Sequence, residues 1–259
     1  MDADLTFALE LADLADAITL DRYGAADLAV ERKRDTTHVT DADRAAEEAI
    51  RAAILARFPD DSIVGEEFGA AGDSGRRWII DPIDGTANYL RGIPIWATLI
   101  GLERDGLVEV GVVSAPAMPR RWWAARGEGA YCDGRRLRVS DVSDPADAQL
   151  CYGELPLWEM FGMGEQFRRV VAAVWRTRGF GDFWQHMLVA EGAADIAIEP
   201  IVNVWDLAAI QPIVEEAGGQ FTDHAGVATP SGGNAVSTNG VLHDADRKST
   251  RLNSSHIPF

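Results

Sequence analysis

Trp78-Ile79-Ile80-Asp81-Pro82-Ile83-Asp84-Gly85-Thr86-Ala87-Asn88-Tyr89 is the most informative stretch of the 259-residue chain. Its apolar opening predicts a buried strand that delivers Asp81 to its end. Pro82, whose ring fixes φ, predicts a turn there, and Asp84 follows so closely that both carboxylates are expected at one edge. Gly85-Thr86 reads as the opening of a helix, where free N–H groups and the positive dipole end favour an anion. Carboxylates hold hard cations such as Mg²⁺, and a cation so held bridges to phosphate oxygens. A cap at Asp81 or a plain turn at Asp84-Gly85 would explain any one of these features. Their concurrence points instead to metal-assisted phosphate chemistry.

Upstream, residues 3–23 read as an amphipathic helix ended by Gly24. A second helix is capped by Thr40 or Asp41, carries Ala45, Ala49, Ile50, Ala53 and Ile54 on its apolar face, and stops at Phe58-Pro59. A short strand is expected at 62–65. Downstream, strands at 95–103 and 108–114 flank Arg104-Asp105-Gly106, a hairpin connection. Trp122 and Trp123 fall on a further strand and read as packing residues. Beyond Ser143 the pattern becomes an alternation of helices (165–176, 182–192, 204–217) with strands (150–153, 195–198, 220–222, 235–237). This places a boundary near residue 148, with an α+β half over 1–148 and an α/β half over 149–245. The apolar patch at 160–163 reads as a loop or a dimer contact.

Forty-one acidic against 24 basic residues give a formal net charge of −17, which argues against nucleic acid and anionic membrane as partners. No apolar run reaches the length of a membrane span. The start, Met1-Asp2-Ala3-Asp4, lacks the positive charge of a signal peptide, so Cys132 and Cys151 are expected as thiols in a cytoplasmic protein. Residues 246–259 do not match the rest. Lys248 is one of only two lysines, and three of the ten serines fall there. Asp246 through His256 coincides with an in-frame translation of a common sequencing-adapter oligonucleotide, so 246–259 is expected to be non-native.

Further acids could converge on Asp81 and Asp84. Gly65-Glu66-Glu67-Phe68-Gly69 puts adjacent acids after a short strand, and Val204-Trp205-Asp206 opens an apolar helix. Alone, the first reads as a solvated loop and the second as a helix cap. Taken in order with Asp81-Pro82-Ile83-Asp84-Gly85-Thr86, Trp205-Asp206-Leu207-Ala208-Ala209 and Glu215-Glu216-Ala217-Gly218-Gly219, they make the chain resemble the inositol monophosphatase family over residues 5–245. The resemblance implies a layered αβαβα fold, a homodimer and two to three Mg²⁺ per site. It assigns Glu66, Asp81, the Ile83 carbonyl, Asp84 and Asp206 as metal ligands, and Asp43 as support for the more weakly held metal. By the same resemblance, Thr86 and Glu66 orient the attacking water, Gly85 and Thr86 hold the phosphate, and Lys33 lies on a loop near the metals. The implied reaction is direct hydrolysis of a small-molecule phosphate monoester, without a phosphoenzyme.

Within the family, Arg91-Gly92-Ile93-Pro94-Ile95-Trp96-Ala97, Phe180-Gly181-Asp182-Phe183-Trp184 and Arg121-Trp122-Trp123-Ala124-Ala125-Arg126-Gly127-Glu128-Gly129 resemble the histidinol-phosphate phosphatases. Arg91 stands where inositol phosphatases commonly carry His. Histidinol bears an ammonium and an imidazole, for which Asp182 and Glu199 are candidate partners. Asp182 reads equally well as a helix N-cap, and Glu199 as a hydroxyl ligand. His186, on an apolar helix face, reads as a packed core histidine. An inositol-1-phosphate or broad sugar-phosphate phosphatase is the alternative, and a non-catalytic binding module on the same fold is the more distant one.

Overall fold

The computed structural model describes residues 2–32 and 38–243. Lys33 and the segment 246–259 lie outside the described residues. Among those described, no helix is long and apolar enough to cross a membrane.

The chain opens with α1 (Ala3–Arg22), capped by Asp2, whose carboxylate accepts the Asp4 N–H at 2.7 Å. Strands β1 (Val30–Arg32) and β2 (His38–Thr40) pair antiparallel. Helix α2 (Asp41–Arg57) then starts on a reciprocal capping box between Thr40 and Asp43. Its buried stripe is Ala42, Asp43, Ala46, Glu47, Ile50 and Ile54, while Ala45 is exposed and Ala49 only half-buried. The expected face was therefore rotated. Alanine buries so little area that it does not fix the phase of a helix, and two acids occupy the inner face instead.

An eight-stranded sheet follows. In chain order it contains β3 (Ser62–Gly65), β4 (Gly69–Ala71) and β5 (Arg76–Asp84), then, after α3 (Thr86–Leu90), β6 (Ala97–Arg104) and β7 (Leu107–Ala115). It is completed by β8 (Arg120–Ala125), β9 (Gly129–Cys132) and β10 (Arg135–Arg136), and the spatial order is β10-β9-β8-β7-β6-β5-β3-β4. Among the described residues of this sheet, only β3 and β5 pair in parallel. Side-chain alternation along β5 sends Trp78 and Ile80 into the core under α1 and α2, with Leu11, Ile50 and Ile100, and sends Ile79 to the opposite face. Burying each such large side chain stabilises the fold by roughly 1.5–3 kcal/mol.

A five-stranded mixed sheet is built from β11 (Gln149–Tyr152), β12 (Arg176–Arg178), β13 (Ile196–Glu199), β14 (Gln220–Thr222) and β15 (Ala235–Thr238), in the order β12-β11-β13-β15-β14. Helices α4 (Leu155–Met160) and α5 (Gly164–Ala173) cover its outer face through Trp158, Phe167 and Val170. Between the two sheets lie α6 (Asp182–Ala190), α7 (Val204–Leu207) and α8 (Ile210–Glu216), where Phe183, Met187, Ile210 and Ile213 meet Leu99, Val113 and Trp122 of the large sheet. The order of layers is helices, sheet, helices, sheet, helices, as the resemblance implied.

Three elements differ from the sequence expectation. Pro82 does not end β5, which runs on to Asp84 through an irregularity in its pairing with β6. The helix expected over 204–217 is broken between α7 and α8. Pro212 has no N–H to bond the Ala208 carbonyl, so the helical ladder is interrupted one turn upstream of the proline. The helix expected over 165–176 ends at Ala173, and Arg176 begins the short β12. Of the patch at 160–163, Met160 is exposed but Met163 is buried in the core beneath α4 and α5. Trp122 is fully buried, as a packing residue should be.

Candidate metal and phosphate site

The site begins with the bulge in β5. Asp81 pairs with Leu99 and Asp84 with Ala97, so β5 spends one residue more than β6 over this interval. In a regular strand, residues three apart point to opposite faces; the extra residue restores Asp84 to the side of Asp81. Pro82 fits here because a bulge frees a backbone position from the ladder. Its carbonyl accepts the Thr98 hydroxyl at 2.8 Å.

Helix α7 supplies the third acid. Oxygens of Asp81, Asp84 and Asp206 lie within 4.8 Å of one another. Asn203 rather than Asp206 is the N-cap of α7, and Asp206, at the third helical position, closes the capping box with its Oδ2 accepting the Asn203 N–H at 2.7 Å. Burial, then the charges of Glu66, Asp84, Asp206 and Asp43, holds the Asp81 carboxyl well above the usual carboxylate range. Burial, then Asp182 and Asp206, does the same to Asp84. Asp206 is pushed up to about 7, chiefly by burial and despite its bond from the Asn203 N–H. Among the described residues, no arginine or lysine pairs with these three acids. A buried set of acceptor-only oxygens without a basic partner fits a hard divalent cation.

Two further candidates flank the trio. Glu66 sits at the tip of the β3–β4 hairpin, where its N–H donates to the Ile80 carbonyl at 3.2 Å, and its charge acts on Asp81, Asp43 and Asp206. Asp43, on the inner face of α2, accepts the Thr40 N–H at 2.8 Å, and burial raises its carboxyl to about 6. Thr86 Oγ1 lies 3.0 Å from the Ile83 carbonyl and 3.5 Å from Asp43 Oδ1. The hydroxyl proton therefore has two acceptors, which leaves the oxygen's lone pairs for a water or a ligand.

Gly85 caps α3 in the left-handed region, at φ 84°, and a Cβ there would stand 3.0 Å from the Ile95 carbonyl. Only glycine satisfies both demands. Asn88, one turn on, donates from Nδ2 to the Ile95 carbonyl at 2.9 Å and to Asp182 Oδ2 at 3.0 Å. Asp182 itself adopts φ 49°, and Gly181 rather than Asp182 is the N-cap of α6. Burial and then the charge of Glu154 lift Asp182 to about 6. Glu199, at the end of β13, is buried, accepts from Gln185 Nε2, and is held well above the usual range by burial and then by Asp182. Asp182 and Glu199 thus share a second acidic locale adjoining the trio, and no described arginine or lysine pairs with either.

Arg91 is the C-cap of α3, with its side chain exposed and in no described ion pair with these acids. His186 is buried, bonds Ser237 Oγ at 2.7 Å through Nδ1, and is driven down to about 3 by burial, as a packed core histidine. Glu47, Asn88 and Gln185 were not singled out from the sequence. The available signal was the i, i+4 pair Asp43/Glu47 on an otherwise apolar helix face.

The profile of the inositol monophosphatase family matches residues 1–255. The chain is 53% identical to the histidinol-phosphatase of Mycobacterium tuberculosis, over 96% of this chain and 98% of that one. It is 51% identical to the histidinol-phosphatase of Streptomyces coelicolor, over 93% and 94%. Among solved structures, the extragenic suppressor protein suhB of Bartonella henselae superposes with a TM-score of 0.88 at 32% identity, over 99% of this chain and 100% of that one. The chain belongs to the inositol monophosphatase family, a family of metal-dependent phosphatases.

Proposed function

We propose that the protein is a phosphoric monoester hydrolase of histidine biosynthesis that converts L-histidinol phosphate to L-histidinol and inorganic phosphate. The observation that carries this reading is the adjacency of two acidic locales, the Asp81/Asp84/Asp206 trio and the Asp182/Glu199 pair, both without a described basic partner. With a divalent cation on the trio, a substrate with a dianionic phosphate at one end and an ammonium and imidazole at the other would complement that arrangement. The names of the two bacterial relatives given above agree with it.

Mg²⁺ is the cation we assign to the site, held by Glu66, Asp81, the Ile83 carbonyl, Asp84 and Asp206, two to three ions in all. When bound it supplies Lewis-acid polarisation of the phosphate and of water. The chain's own residues do the rest. Gly85 and Thr86 backbone groups hold phosphate oxygens, which the left-handed Gly85 allows by close approach. Thr86 Oγ1, bonded toward Ile83 and Asp43, and Glu66 orient a water for in-line attack. The water oxygen bonds to phosphorus, the ester P–O bond breaks, and of the water's two protons one ends on the released alcohol oxygen and the other on the phosphate. Asp182 and Glu199 receive the cationic end, with Asn88 and Gln185 fixing their carboxylates. Arg91, exposed at the end of α3, is assigned to substrate binding. A cytoplasmic homodimer completes the reading, in keeping with Cys132 and Cys151, which are free, buried thiols pushed up to about 11 by burial.

The test is a matched assay of L-histidinol phosphate and myo-inositol 1-phosphate with saturating Mg²⁺. Preference for histidinol phosphate is expected. Preference for inositol phosphate by about tenfold or more in kcat/KM would establish the inositol or sugar-phosphate reading instead.

A further inference from the structure

Glu47 is a completely buried acid whose carboxylate accepts hydrogen bonds from Arg51 and from the loop that carries Glu66. That loop is the Glu66-Glu67-Phe68 tip joining β3 to β4, closed by the Gly65–Gly69 pair. Glu47 Oε2 accepts the Glu67 N–H at 2.7 Å and Oε1 accepts the Phe68 N–H at 3.2 Å. Gly65 is pressed on the same carboxylate, since a Cβ there would fall 2.0 Å from Oε1. One turn along α2, Arg51 Nε donates to Glu47 Oε1 at 2.7 Å, and its guanidinium reaches on to the Gly69 carbonyl.

We propose that Glu47, clamped by Arg51, is a positioning residue that fixes the β3–β4 tip and so presents Glu66 to the metal. The claim rests on the reading of Glu66 as a metal ligand. A three-residue tip that leads from the buried β3 into the exposed edge strand β4 has little packing on its outer side, and α2 supplies what β4 lacks. Two backbone N–H groups anchored on one carboxylate leave the tip little freedom, and the Arg51 contact holds its far end. The same helix carries Asp43 one turn earlier, so α2 registers both flanking acids against the trio. Outer residues that orient metal ligands typically tune affinity by 10- to 100-fold on mutation, which sets the scale at about tenfold here.

The experiment titrates Mg²⁺ into the metal-free full-length protein by calorimetry, alongside the thermal midpoint of the metal-free form. Glu47→Gln keeps one acceptor but loses the charge and the second bond. It should bind Mg²⁺ about tenfold more weakly while remaining folded, with activity recovered at high Mg²⁺. A lowered midpoint with unchanged Mg²⁺ affinity would make Glu47 merely structural and overturn the proposal. Should Glu47→Gln not fold, Arg51→Met decides: weakened Mg²⁺ binding supports the clamp, and unchanged binding overturns it. Glu66→Gln separates this claim from the one beneath it. If that variant binds Mg²⁺ like the parent, the metal role of Glu66 falls and the positioning role with it; if it binds weakly while the Glu47 and Arg51 variants do not, only the positioning role falls.

Discussion

Asp84 Oδ2 accepts the backbone N–H of Phe183 at 2.6 Å, so the bulge at the end of β5 is tied directly to the first turn of α6. That N–H is one of the donors a helix start leaves unpaired, and it is satisfied by a proposed metal ligand from the other sheet layer. The contact brings Asp182 alongside the trio and thereby joins the two acidic locales.

This tie makes Asp84→Asn an informative variant. The asparagine Oδ1 can still accept from Phe183, so the attachment of α6 and the fold should persist, as read by circular dichroism and thermal midpoint. The charge is lost, and kcat/KM should fall by several orders of magnitude. Near-normal turnover would remove Asp84 from the metal set.

The sequence made Asp81, Asp84 and Asp206 legible because each stands beside a strong local signal: an apolar strand, a Pro-x-Asp-Gly run, or the start of an apolar helix. How Asp81 and Asp84 come to share a face was not legible, because a bulge is a property of pairing with β6 rather than of β5 alone. Glu47 was missed since an acid within an alanine-rich helix reads as a solvated position until its partner loop is in place. The break between α7 and α8 was marked by Pro212, but the apolar run across 207–214 outweighed it. Strands β4 and β12 each span three residues and have no alternation to read.

Metal-free stability should fall as pH rises. Burial raises the carboxyls of Asp43 and Asp182 to about 6 and of Asp206 to about 7, and those of Asp81, Asp84 and Glu199 also move upward. Each such group binds its proton more tightly folded than unfolded. Its contribution is therefore full below the ordinary carboxylate range and is lost as pH climbs through the folded values. The midpoint of the metal-free protein should drop between about pH 4 and pH 7, and the increment from saturating Mg²⁺ should grow over the same range. A pH-independent increment would show that the cation does not neutralise these acids.

Asp182→Asn and Glu199→Gln test the cationic end of the substrate. Asparagine tolerates the left-handed φ at position 182 and can still accept from Asn88, so the first change is nearly isosteric. A charge-assisted hydrogen bond contributes about 1.5–3 kcal/mol, which corresponds to a KM for L-histidinol phosphate raised by roughly 10- to 100-fold. The KM for an aryl phosphate without a cationic group should hardly move. Equal effects on both substrates would assign the two acids to the metal locale rather than to specificity.

Thr86 sets the final prediction. Its hydroxyl lies between the Ile83 carbonyl and Asp43 Oδ1, and the proposed role is to orient water through the remaining lone pairs. Thr86→Val preserves shape and removes the hydroxyl, so kcat should fall by about 10²–10⁴ while Mg²⁺ affinity changes little. Thr86→Ser restores the oxygen without the methyl group and should recover most of the rate. If valine and serine lost activity equally, the methyl packing and not the hydroxyl would be what the site requires of Thr86.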